Sequence, residues 1–157
     1  MTRKKFKLSH SVVGLLGLLA VQGLLVYLWP VGATAWLTLA FATVGAIVTL
    51  YVATEVVEEV RSPSHMVVLL SIIVAEFVLF FACEYWYLML VSTNSFPTLP
   101  PDVVSLLLHS MMVFVFNPLY LPGNTLGRIL LLINTASSMG LALFILQNIS
   151  QFRRAAQ

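Results

Sequence analysis

Two glutamates lie inside the third apolar segment of the chain, where a carboxyl group is costly and usually faces protein or water. They are Glu76 and Glu84, eight residues apart. On a helix this spacing places them about 80° apart around the axis and about 12 Å apart in height. A cation or proton site is one interpretation, and hydrogen bonding to neighbouring helices is the other. Glu84 lies among Tyr85, Trp86 and Tyr87, an aromatic run typical of a membrane interface, which favours hydrogen bonding there. For Glu76 both interpretations stay open.

Three polar residues share one face of the last apolar segment. Asn134, Ser137 and Ser138 follow an i, i+3, i+4 spacing, which brings side chains together on a helix. Such a face lines a water-filled axis or bonds one helix to another, and the spacing fits both interpretations. Asn134, Ser137 and Ser138 are therefore candidates for lining a water-filled axis, with helix-to-helix bonding as the alternative.

The other reactive side chains form no catalytic set. His109 is alone in a short apolar segment, and Cys83 is the single cysteine. Neither stands in a Ser, His and carboxylate pattern that supports hydrolysis, and nothing resembles a paired-histidine haem site. We expect no enzyme activity, no metal and no cofactor.

The composition is that of an integral membrane protein. Of 157 residues, 60% are hydrophobic and 9% are charged, whereas a soluble domain carries about a quarter charged residues. The formal net charge is +2, and the basic residues lie at segment ends. The sequence therefore has no basic patch of the kind that binds nucleic acid. The expected surroundings are the lipid bilayer.

Four long apolar segments and one short one follow each other along the chain. The long ones lie at about 11–29, 33–54, 65–91 and 126–150, each long enough to cross about 30 Å of hydrocarbon as a helix. The first is longer than the h-region of a signal peptide, so we expect it to remain as a span. The short segment lies at about 103–116.

The positive-inside rule gives the orientation. Four basic residues before the first span place the N-terminus in the cytoplasm: Arg3, Lys4, Lys5 and Lys7. If 103–116 crosses the bilayer, Arg128 is inside while Arg153 and Arg154 are outside. If it dips in and returns, Arg128 is the one basic residue outside, and both termini are cytoplasmic. The charge rule favours the second arrangement.

The length of the short segment favours the same arrangement. Residues 103–116 would reach only about 21 Å as a helix, at 1.5 Å per residue. The preceding "PPD" at 100–102 is a good helix start, because proline is tolerated in the first turn. We expect a re-entrant helix and loop between the third and fourth spans, with a short fifth span as the alternative.

From Asp102 onward the chain resembles the pore module of the tetrameric potassium channel family. In that family the selectivity filter is typically followed by a pattern like "GDxYPxTxxGR", and this chain reads "PLYLPGNTLGR" at 118–128. Pro122, Gly127 and Arg128 fall in register without a gap. The resemblance implies an outer helix, a pore helix, a filter-like loop and an inner helix within 62–157. It demands no counterpart for the first two apolar segments, which we expect to form a two-helix transmembrane hairpin at 1–61.

The filter itself departs from the family. Where potassium channels have "TVGYG", this chain has Phe114, Val115, Phe116, Asn117 and Pro118. The family's glycines let carbonyl groups replace the hydration shell of an ion. We expect Phe116 to avoid positive φ, and proline to hold φ near −65°. Position 114 also lacks the family's threonine hydroxyl, so a potassium-type filter cannot form.

The sequence therefore predicts an all-α, multi-pass membrane protein with four transmembrane helices and one re-entrant pore helix and loop. The resemblance implies an ion-channel-like homotetramer, and the residues at 114–118 imply an apolar filter without potassium-type selectivity. The alternative is a non-conducting structural or accessory subunit of a larger membrane complex. The apolar filter and the lack of a convincing ion ligand motivate that alternative.

Overall fold

The computed structural model describes residues 8–29, 32–59 and 63–155. These residues form helices and connecting segments, with no strand among them. The helices are α1 (Leu8–Leu28), α2 (Gly32–Glu59), α3 (Pro63–Val91), α4 (Val103–Phe114) and α5 (Thr125–Ala155). Each of the five predicted apolar segments is a helix, and the predicted bounds differ from these by at most a few residues. The basic residues at 3–7 and Arg61, used for the orientation, lie outside the described residues.

Within the described part of the chain, three helices are long and apolar enough to cross a membrane. The qualifying stretches are Gly32–Glu55, Ser64–Val91 and Thr125–Ser150, while Val13–Leu28 and Val103–Phe114 are shorter apolar helices. Length and composition alone thus support a membrane protein, and they identify three helices that are able to span the bilayer. The apolar side chains left exposed on every helix fit a hydrocarbon surrounding.

Helix α2 packs against α1, α3 and α5. Its buried face is built from small side chains, which let helix backbones approach closely in a membrane. At Gly45 an added Cβ would collide with the ring of Phe80. The hydroxyls of Thr38 and Thr49 donate to backbone carbonyls one turn back, at 3.0 and 2.9 Å. These polar groups are therefore satisfied without partners on other helices.

The long helices alternate in direction. Residues 30–31 and 60–62 are the only residues between helices that the structure leaves undescribed, and such short connections join antiparallel neighbours. α1 runs parallel to α3, since Leu15 lies near Ile72 and Gln22 bonds to Glu84. The start of α5 lies beside the end of α3, where Asn124 bonds to Ser92. α1 therefore begins, and α5 ends, at the same end of the bundle.

The opposite end of the bundle is rich in exposed aromatic side chains. Trp86 and Tyr87 stack at 5.5 Å between ring centroids near the end of α3. The end of α1 adds Tyr27 and Trp29, and the start of α2 adds Trp36, all exposed. Tryptophan and tyrosine collect at membrane interfaces because their rings are amphipathic. We call this the aromatic end of the bundle.

Candidate functional site

Helix α4 enters the bundle at its aromatic end and stops halfway along α3. The start of α4 lies beside Trp86, with Val103 lining the same groove. Further along, the hydroxyl of Ser110 donates to the Val78 carbonyl at 2.9 Å. At the end of α4, the ring of Phe114 meets Phe77 at 5.9 Å between centroids. Since Phe77 is near the middle of α3, α4 descends about half the depth of the bundle.

The chain then returns to the end from which α4 started. We call residues 115–124 the return loop. The ring of Tyr120 lies 5.5 Å from that of His109, and the Gly123 N–H donates to the Ser95 carbonyl at 2.9 Å. The amide of Asn124 donates to Ser92 and Ser95 at 3.0 and 3.2 Å. The excursion through α4 and the return loop thus begins and ends beside the end of α3.

Both helices of this region begin with a side-chain cap. The Ser105 N–H donates to Asp102 Oδ1 at 2.9 Å, and the Gly127 N–H donates to Asn124 Oδ1 at the same distance. Aspartate and asparagine are favoured at this position because the first turn of a helix has unpaired N–H groups. Hydrogen bonding to Ser105 also holds the pKa of the exposed Asp102 carboxyl below its usual range. The "PPD" and "PGNT" stretches are therefore helix starts.

Helix α4 ends in a left-handed turn at Phe116, whose φ is 62°. The Phe116 N–H donates to Val113 and the Asn117 N–H to Met112, at 2.9 and 2.8 Å. These two bonds define the Schellman motif, in which the residue after the C-cap adopts positive φ. The expectation that Phe116 avoids positive φ is therefore wrong, because the helix end requires that conformation. The argument against a potassium-type filter keeps its other grounds, Pro118 and the missing hydroxyl.

Phe116→Gly is expected to stabilise the protein. A left-handed conformation costs an ordinary residue about 1–2 kcal/mol, and about half of that is offset by the greater freedom of glycine in the unfolded chain. We expect a net gain of about 0.5–1 kcal/mol in unfolding measurements in detergent. Val115→Gly is the matched control, because Val115 has a φ of −93° and should lose stability. A gain in both variants, or in neither, would contradict the assigned motif.

The five filter-like residues do not share one surface. Val115 and Phe116 are about half exposed, at 53% and 52%, and Asn117 is exposed as well. Phe114 packs against α3, and Pro118 is half-buried. The surface that the turn presents outward is therefore formed by Val115, Phe116 and Asn117.

His109 is fully buried where α4, α3 and the two connecting segments meet. Its ring contacts Tyr85 of α3, Phe96 before α4 and Tyr120 of the return loop, with centroids 4.7, 5.5 and 5.5 Å away. Neither ring nitrogen has a hydrogen-bond partner among the described residues. The imidazole thus holds the region together by ring packing.

His109→Phe is expected to raise stability by about 1 kcal/mol, because a buried polar group without a partner costs about 1–3 kcal/mol and phenylalanine keeps the ring packing. Thermal unfolding in detergent measures the effect. His109→Ala is the control and should be destabilising, since it removes the ring. A clear loss in His109→Phe would mean that the imidazole bonds to water or to another chain.

Of the three predicted inner-helix residues, two are buried inside the helix bundle of a single chain. Asn134 and Ser138 are fully buried. The Asn134 amide donates to the Tyr85 hydroxyl at 3.0 Å, and the Ser138 hydroxyl donates to Asn134 Oδ1 at 3.2 Å. Ser137 is half-buried. In a single chain, therefore, Asn134 bonds α5 to α3 and Ser138 bonds to Asn134 within α5, which fits the helix-bonding interpretation of this spacing.

The two intramembrane glutamates occupy different surroundings. Glu84 is fully buried and accepts a hydrogen bond of 2.7 Å from Gln22 of α1. Glu76 is half-buried in the groove between α1 and α3, beside Leu15 and Phe80. Only Glu84 is thus enclosed by protein on all sides.

Sequence reasoning missed three residues that organise this region. Gln22 is a lone amide in an apolar run, and that was a usable signal, because polar groups inside a span seek partners. Asn124 precedes the last helix as a favoured cap residue. Tyr85 had no such signal, since an interfacial tyrosine and one bonded to another helix look alike in sequence.

Comparison with known proteins leaves the chain without an assigned family. No protein-family model matches it, and neither the curated proteins nor the solved structures provide a match.

Proposed function

We propose that the protein is an ion-channel-like homotetramer with four transmembrane helices and one re-entrant element per subunit. The observation that carries this proposal is the half-depth descent of α4 and the return of the chain to Ser95. Irregular backbone at membrane depth is tolerated where it is buried in protein or lines a water-filled cavity. Four copies around an axis would supply such surroundings, as the resemblance to the potassium channel pore module implies.

The narrowest part of the proposed pore is an apolar collar. Val115 and Phe116 form it, because their side chains are exposed in one subunit while Phe114 is turned towards α3. An apolar constriction blocks ions by dewetting even when it is not sterically closed. The collar offers no group to replace water around an ion, so weakly hydrated ions are favoured over strongly hydrated ones.

The rest of the proposed pore surface is the outward face of α5. Its exposed residues recur every three or four positions and are mainly apolar: Arg128, Leu132, Ala136, Met139 and Leu143. Ser137 is at the edge of this face and remains a candidate lining residue. Asn134 and Ser138 would instead support the lining helix from behind, through their bonds to each other and to Tyr85.

The proposed orientation places both termini in the cytoplasm. It is supported by the packing of α1 and α5, which puts the start of the first helix and the end of the last at one end of the bundle. The aromatic end then faces outward, and α4 enters from that side.

Two measurements test the proposal. The first is the mass of the detergent-solubilised protein, which should be that of four chains. A monomer, or a complex found only with an unrelated partner, would overturn the homotetramer, and the unrelated partner would favour an accessory subunit.

The second measurement is ion flux into liposomes for wild type and Phe116→Ser. We expect the substitution to raise flux about tenfold or more, because a hydroxyl wets the collar. Leu24→Ser is the matched control, since Leu24 is as exposed as Phe116 but belongs to α1, which does not contact α4. A wild type that conducts K⁺ with strong preference over Na⁺, unchanged by Phe116→Ser, would refute the collar.

A further inference from the structure

The contact between α1 and α3 contains a pair of hydrogen-bonded side chains in which two oxygen atoms have no hydrogen-bond donor. Gln22 Nε2 donates to Glu84 Oε2 at 2.7 Å, and the two side chains are 1% and 0% exposed. The amide oxygen of Gln22, Oε1, and the other carboxyl oxygen of Glu84, Oε1, are also buried and have no partner among the described residues. Both oxygens are acceptors when the carboxyl group is ionised, so neither satisfies the other.

No described cation balances a charge on Glu84. The titratable side chains that interact with it electrostatically are Cys83 and Tyr87 of its own helix. Neither supplies a positive charge, and the Tyr87 hydroxyl donates to the Leu19 carbonyl at 3.1 Å. A buried carboxylate with one hydrogen bond and no counter-ion is expensive.

Among the side chains that the structure describes, those on the helices packed against α3 bring no alternative partner. On α4, the ring of His109 lies against Tyr85 and the two loop aromatics. On α5, Arg128 is exposed at the start of the helix. On α2, Glu55 lies at the opposite end of the bundle, near the helix C-terminus. The hydrogen that these two oxygens lack must therefore be an added proton.

We propose that Glu84 carries a proton and forms a cyclic acid–amide pair with Gln22. The carboxyl O–H at Oε1 donates to Gln22 Oε1, while Gln22 Nε2 donates to Glu84 Oε2. One added proton thereby satisfies both oxygens that lack a donor and removes the buried charge. The α1–α3 contact is thus a proton-binding site. The carboxyl group of Glu84 binds the proton, and the amide of Gln22 accepts the hydrogen bond of the resulting O–H group.

Infrared spectroscopy of the full-length protein at neutral pH tests this site. We expect wild type to show the carbonyl stretch of a protonated carboxylic acid, shifted in D₂O, and Glu84→Gln to lose it. Glu84→Gln keeps the size of the side chain and both hydrogen bonds, since two amides also form a cyclic pair. Glu76→Gln is the matched control and should retain the band. Loss of carboxylate bands in Glu84→Gln, with no change in the acid band, would overturn the proposal.

A second variant tests the partner. Gln22→Leu should keep the acid band and shift it to the higher frequency of an acid without its hydrogen bonds. An unshifted band would show that Gln22 does not share the proton. If Glu84→Gln does not fold, wild-type protein with labelled glutamate carboxyl carbons gives the same decision by solid-state NMR. An interior glutamate with the chemical shift of an acid supports the proposal, and carboxylate shifts for every glutamate overturn it.

Discussion

Gly127→Ala is expected to destabilise the protein by about 2–3 kcal/mol, the upper part of the range of about 1–3 kcal/mol for forcing an extra methyl group into a packed site. A Cβ at this position would lie 2.5 Å from the Ser95 carbonyl oxygen and 3.0 Å from Pro122 Cβ. The first obstacle is backbone and cannot rotate away. The segment after α3 would have to separate from the start of α5.

Gly140→Ala in the same helix is the matched control. An added Cβ there would meet only the Leu50 methyl groups, at 3.8 and 3.9 Å, which is ordinary contact. Alanine favours a helix interior by about 1 kcal/mol over glycine, so this variant should be neutral or stabilised. Equal behaviour of the two variants in unfolding experiments would mean that Ser95 does not lie against α5.

Removing one partner of the Gln22–Glu84 pair is expected to be costly, and removing both much less so. Glu84→Leu leaves the Gln22 amide buried without a partner, and Gln22→Leu does the same to the carboxyl group. Each single variant should lose about 1–3 kcal/mol, the usual cost of an unsatisfied buried polar group. The double leucine variant should recover most of this loss, since two apolar groups of similar size replace the pair.

The coupling energy from this double-mutant cycle is the decisive quantity. We expect about 2 kcal/mol or more, above the hydrogen bonds measured between membrane helices, because each single loss includes the cost of a buried group left without its partner. Additive losses in the two single variants would show that the side chains act independently. The interior position of Leu15 on the same helix provides a control, because Leu15→Ala combined with Glu84→Leu should be additive.

The helices were predictable because each is a long apolar run bounded by proline, serine or charged residues, and that pattern is local. Their contacts were not, since which faces meet depends on distant parts of the chain. The spacing of Asn134 and Ser138 predicts that they share one face of the helix, but it does not indicate whether Tyr85 or water lies opposite that face. The same limit applies to Gln22, whose partner is 62 residues away.

Phe116 shows a different kind of limit. A bulky residue predicts negative φ from its own sterics, but the helix-ending hydrogen bonds to Met112 and Val113 outweigh that preference. Local conformational preference is therefore a weak guide where a helix must stop at a given depth. The half-depth position of α4 follows from packing of Phe114 and Ser110 on α3, which no local pattern specifies.

The hydrogen bonds that join Ser95 to Gly123 and Ser92 to Asn124 close the excursion at its own base. Its two ends are neighbours, so the residues between them form a cassette that begins and finishes at one point of the bundle. Short insertions among the exposed residues of the return loop leave the spacing of α3 and α5 unchanged, because they alter the closure entropy of the loop, which grows slowly with length. A foreign cassette of similar end-to-end distance therefore fits these two ends where its helix also reproduces the packing of α4 on α3 and α5.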